Sequence, residues 1–200
     1  MLAGEGTLLD QLLNALLCGD DERAEQTIPA LALANGDELV SALERRLARA
    51  NADERWWIAR ASAVIPAACS VTLLARLMGD PASDVRACAA LALGELRTLV
   101  GADGIESLAA HLDDENAHVA EICAVSLGRV GTLAVPVLLA RLQAGNALQR
   151  IRAAKALVPI ESHEAIPALI AALDDENAVV THYAEEALER MGVGMVLVNP

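Results

Sequence analysis

Leu112-Asp113-Asp114-Glu115-Asn116-Ala117 recurs letter for letter as Leu173-Asp174-Asp175-Glu176-Asn177-Ala178, 61 residues further on. Each copy joins two apolar stretches of helical spacing. The stretch after it sets apolar or small residues at its first, fifth, eighth and ninth positions. These are Val119, Cys123, Ser126 and Leu127 in one copy, and Val180, Ala184, Ala187 and Leu188 in the other. Steps of four, three and one lie on one side of an α-helix. A helix-joining motif that returns at a fixed period marks an array of helix pairs, none able to bury its apolar face without a neighbour.

The same frame fits Val85, Ala89, Ala92 and Leu93, and less closely Trp56, Arg60, Ala63 and Val64. Aligned on the ninth position, Leu33, Val64, Leu93, Leu127, Leu157 and Leu188 are spaced by 31, 29, 34, 30 and 31 residues. Six pairs follow, near 5–34, 37–65, 70–97, 103–130, 132–161 and 163–191, as one domain over 1–192 with a tail at 193–200. In five pairs the residue five before the frame is Asp20, Asn51, Asp80, Asp114 or Asp175, types that cap helix N-termini. Pro81 suits a first helical position, Asn51 and Glu54 have capping-box spacing, and Asn146 is the expected cap in the fifth pair. In the first pair, Leu8, Leu9, Leu12, Leu13, Leu16 and Leu17 form an apolar stripe. Pro29 leaves two phases open there: an interrupted second helix, or a new first helix starting at Ile28. The apolar tail either folds back over the last pair or serves self-association.

Asp80-Pro81-Ala82-Ser83-Asp84-Val85-Arg86-Ala87-Cys88-Ala89-Ala90-Leu91-Ala92-Leu93-Gly94 and Ala184-Glu185-Glu186-Ala187-Leu188-Glu189-Arg190-Met191-Gly192 resemble the HEAT-repeat family, in particular the short HEAT-like repeats also found in phycobilisome lyases. The resemblance implies an all-α fold, a right-handed α-α superhelix of about six helix pairs. It implies a non-catalytic protein–protein interaction scaffold or adaptor, or alternatively a bilin (phycobilin) lyase or lyase-like chromophore chaperone. A bilin site calls for aromatic walls, and this chain has two Trp, one Tyr and no Phe. Deoxyhypusine hydroxylases resemble this fold too, and hold two irons through His-Glu pairs on several repeats; His163-Glu164 is the one such pair here.

The net charge of −13 and the lack of a basic stripe argue against a nucleic-acid partner. They favour a protein partner with a basic surface or peptide. Cys18, Cys69, Cys88 and Cys123 show no CxxC spacing, as expected for reduced thiols of a cytoplasmic protein. Leu16-Leu17-Cys18 lacks the basic leader and small residue of a lipoprotein signal. No stretch reads as a membrane span. Phosphate-loop and Gly-x-Ser-x-Gly motifs are absent, so no catalytic residue, cofactor or metal site is expected. Arg outnumbers Lys 14 to 1, as in GC-rich bacterial genomes.

Candidate partner-binding residues lie near the starts of the second helices: Trp57, Arg86, Glu121, Arg150 and His182. Trp57 takes the outward second position of its frame, where Trp commonly anchors a partner. The alternative is that Trp56 and Trp57 together plug the junction between the first pairs.

Overall fold

The structure, a computed structural model, describes residues 8–33 and 35–193. It divides into two compact units, Met1–Val100 and Gly101–Pro200. The side chains of Leu9, Leu13, Leu16 and Leu17 lie outside the described residues, and so does the tail from 194 on.

The first unit contains α1 (Leu8–Cys18), α2 (Asp21–Leu31), α3 (Gly36–Leu47), α4 (Ala52–Ser62), α5 (Ala68–Leu77) and α6 (Ser83–Glu95). The second contains α7 (Ala102–Ala110), α8 (Ala117–Val130), α9 (Val135–Ala144), α10 (Ala147–Leu157), α11 (Ile166–Ala172) and α12 (Ala178–Arg190). Among the described residues there is no strand. In the second unit α7, α9 and α11 form one row, α8, α10 and α12 another, and each pair packs across the two rows. The first unit repeats this, with α2, α4 and α6 as its second-helix row. The core lies between the rows. Val119, Cys123, Leu127, Val180, Ala184, Ala187 and Leu188 are all at most 1% exposed. Ala at these positions lets neighbouring helix backbones approach closely, while Leu supplies the buried bulk.

Capping divides the pairs into two kinds. Asp20, Asn51 and Asn146 are themselves N-caps. Asp20 accepts from the Arg23 N–H at 3.0 Å; Asn51 with Glu54 and Asn146 with Gln149 form capping boxes. Asp80, Asp114 and Asp175 are not caps. Each accepts the backbone N–H two residues on, from Ala82 (2.9 Å), Asn116 (2.8 Å) and Asn177 (2.8 Å). The helix then starts after Ala82, Asn116 or Asn177. Pro81 therefore lies in the turn and not at a first helical position.

This difference shifts the frame in the first two pairs. Counted from the cap, the inward positions of α4 are Glu54, Ile58, Ala61 and Ser62, all buried. Those of α2 end on Leu31, which is fully buried, whereas Leu33 is 92% exposed. The expected anchors Val64 and Leu33 are thus replaced by Ser62 and Leu31. Pro29 lies inside α2, which settles the phase of the first pair.

One helical run bears on the expectation that no stretch reads as a membrane span. Ala117–Ala144 is a continuous helical run long and apolar enough in composition to cross a bilayer. Gly131, at φ 77 and ψ −139, occupies a backbone region open essentially to glycine. It breaks the run into α8 and α9, of 14 and 10 residues, which join different rows. Neither alone reaches the roughly 20 residues a span needs.

Candidate interaction groove of the second unit

The two units place the five candidate residues in different surroundings. Trp57 is 8% exposed, and its indole Nε1 donates to Asp21 Oδ1 at 3.3 Å. Its ring meets the half-buried Trp56 edge to face, with centroids 5.0 Å apart. Trp57 does not face outward, because α4 is phased from Asn51 itself. Arg55, not Trp57, is the counterpart of Arg86 and Arg150. A concavity of about 440 Å³ beside the two rings is lined by Gly19, Asp21, Asn51, Asp53 and Glu54. Arg86 is 6% exposed; it donates to the carbonyls of Asp80 at 2.9 Å and Pro81 at 3.2 Å. Both residues hold the first unit together instead of presenting a surface.

Arg150 is half-buried and fully engaged. Its Nε and Nη2 donate to the two carboxylate oxygens of Asp175, at 2.8 and 3.2 Å, and its Nη1 donates to the Gly145 carbonyl at 3.3 Å. The hydrogen bond from Arg150 holds the Asp175 carboxyl below its ordinary range, against a smaller opposing effect of burial; the Asn177 N–H adds to the lowering. The same bond raises Arg150.

Glu121 and His182 do not line, but each contacts a residue of, a groove on the second-helix row, through Lys155 and Tyr183. Its walls and floor come from α8 (Ala124, Val125, Gly128, Arg129), from α10 and the 3-10 turn after it (Lys155, Ala156, Val158, Pro159), and from α12 (Tyr183, Glu186). Its volume is about 370 Å³. Gly128 makes the close approach of its floor possible: a Cβ there would stand 3.1 Å from Pro159 Cγ. Lys155 donates to Glu121 and stands 5.9 Å above the centre of the Tyr183 ring. The Glu121 hydrogen bond raises the Lys155 pKa against a weaker effect of burial, so the ammonium is charged and held in place. His182 is exposed, with its ring 5.4 Å from that of Tyr183. Tyr183 is the chain's single tyrosine, and Val125 is an exposed apolar residue (42%) of α8.

Among the described residues no group of three or more His, Cys, Asp or Glu is placed to hold a metal ion. His163 and Glu164, the one His-Glu pair, are both exposed in a 3-10 turn.

Residues 105–189 match the family model described as HEAT repeats. No curated protein sequence matches the chain. The crystal structure of an engineered protein aligns with a TM-score of 0.51 at 20% identity, over 93% of this chain and 97% of that one. Human deoxyhypusine hydroxylase in complex with glycerol aligns with a TM-score of 0.40 at 16% identity, over 92% of this chain and 94% of its own. A designed armadillo repeat protein aligns with a TM-score of 0.49 at 18% identity, over 92% and 98%. The likeness to the engineered protein, at 20% identity, is one of fold alone. With its helices paired in two rows within each unit, the chain has an all-α helical-repeat fold, and its residues 105–189 match HEAT repeats.

Proposed function

We propose that this protein is a non-catalytic scaffold that receives a segment of a partner protein in the groove formed by α8, α10 and α12. The observation that carries this reading is the groove's construction. An open, largely apolar floor lies beside a tyrosine whose ring is fixed under a lysine, itself fixed by Glu121. A rigid aromatic beside an apolar floor binds at low entropic cost, since little has to be ordered on association. The repeat architecture supports the reading, because stacked pairs expose a row of second helices as a continuous surface. The net charge of −13 favours partners whose wider surface is basic, by steering the encounter.

Panning a displayed library of random peptides against the immobilised protein tests this. Val125→Arg fills the groove from an exposed position and leaves the core untouched. Peptides selected on the wild type are expected to lose binding to Val125→Arg and to Tyr183→Ala. Peptides that bind Val125→Arg as well as the wild type would place the binding surface elsewhere.

A further inference from the structure

We propose that the groove reads direction: it takes a partner segment with apolar residues between a carboxylate and a cation, the carboxylate pairing with Arg129 and the cation with Glu186. This rests on the protein-binding reading above and adds the charge order of the occupant.

The inference comes from which charges of the second unit are already engaged. Its lysine and arginines are Arg129, Arg141, Arg150, Arg152, Lys155 and Arg190. Arg141 pairs with Glu106, Arg150 with Asp175 and Glu176, Lys155 with Glu121, and Arg190 with Glu161. Arg152 donates to the Leu112 carbonyl at 2.8 Å. Arg129 is exposed and has no hydrogen-bond or ion-pair partner among the described residues, although the unit carries 14 acids against six such cations. It lines the groove. Glu186 also lines the groove and has no such partner among the described residues. Arg129 comes from α8 and Glu186 from α12, with α10 packed between these two helices. The two unengaged charges of the groove are therefore opposite in sign and belong to opposite walls. The one charge between them, Lys155, is neutralised by Glu121.

The apolar floor makes this arrangement selective. An occupant that covers Val125, Ala156 and Pro159 also removes water from the rim. Rim charges then interact at a lower effective dielectric, so a matched carboxylate or cation gains and a mismatched one is repelled. A segment entering with its charges reversed meets two repulsions at once, and this penalty sets the direction more than attraction does.

The test extends the panning to Arg129→Glu/Glu186→Arg. Both side chains lack described partners, so the variant should fold, and its far-ultraviolet dichroism should match the wild type. Wild-type-selected peptides whose binding depends on Val125 are expected to share an apolar centre with an acid on one side and a base on the other. Their affinity should fall at least about ten-fold on the double variant, and peptides with the acid and base exchanged should regain it. Val125-dependent peptides with no charge order, or with unchanged affinity for the double variant, would overturn the directional inference and leave the scaffold reading standing. A selection that yields no Val125-dependent peptide would overturn both.

Discussion

Arg150 grips Asp175 with two parallel donors, Nε at 2.8 Å and Nη2 at 3.2 Å, and Arg55 does the same to Asp80, at 2.6 and 2.9 Å. In both cases the arginine stands 25 residues before the aspartate. Each arginine also holds the carbonyl five residues before it, Ala50 or Gly145. Each aspartate in turn fixes the turn that starts the next second helix. The bridges thus connect neighbouring second helices within each unit, α4 to α6 and α10 to α12, at the point where the chain changes direction.

Acid should therefore loosen both units. Burial works to raise the Asp80 carboxyl. The Arg55 hydrogen bond, the Ala82 N–H and the charges of Arg55 and Arg86 together outweigh it and leave it below its ordinary value. Asp175 is lowered chiefly by Arg150. A carboxyl lowered by folding contributes fully above its unfolded value of about 3.9. That contribution is lost as pH falls through the lower folded value. Asp80→Asn should cost about 2 kcal/mol at neutral pH. The cost should shrink as an acid titration followed by circular dichroism passes below that range. A cost independent of pH would show that the bridge's charge contributes nothing.

The shifted frame of the first pair separates two leucines that look alike in the sequence. Leu31→Ala removes a fully buried side chain and should cost about 2–5 kcal/mol in denaturant unfolding. Leu33→Ser, at a residue 92% exposed, should change stability by no more than about 0.5 kcal/mol. Equal effects would contradict the phase set by Asp20.

Ser126 is fully buried, and its hydroxyl has no hydrogen-bond partner. Ser62, also fully buried, donates to the Ile58 carbonyl at 2.8 Å. The equivalent frame positions carry Ala92, Ala156 and Ala187. Ser126→Ala should stabilise the protein by about 1 kcal/mol, read as a higher midpoint of chemical unfolding. Ser62→Ala should not.

The four thiols should react in a fixed order with a disulfide reagent near pH 8. Cys18 is exposed and should react first. Burial, and then the hydrogen bond to Asp37, raise the half-buried Cys69, so it should follow slowly. Burial pushes Cys88 up to about 12, and Cys123 is fully buried. These two should react only when denaturant unfolds the chain, because the thiolate is the reacting species. Four thiols reacting at one rate in native protein would contradict the packing of α6 and α8.

The duplicated hexapeptide and the four-three-one spacing determined the helix pairs by themselves. Hydrophobic periodicity is local, and a buried stripe on a helix needs only the correct residues at the correct steps. The capping box at Asn51, the caps at Asp20 and Asn146, and the frames of α6, α8, α10 and α12 were legible for that reason. Whether an Asp caps a helix or stands two residues before the cap was not, because the choice depends on tertiary contacts as well as local sequence. Asp80 and Asp175, each held by an arginine 25 residues earlier, lie in the turn. Asn51 is itself the cap of α4, and that phase moved Trp57 from the surface into the core. The groove was invisible for the same reason. Val125, Lys155 and Tyr183 sit on three helices that meet only through packing, and which charges remain unengaged follows from which arginines already hold their carboxylates.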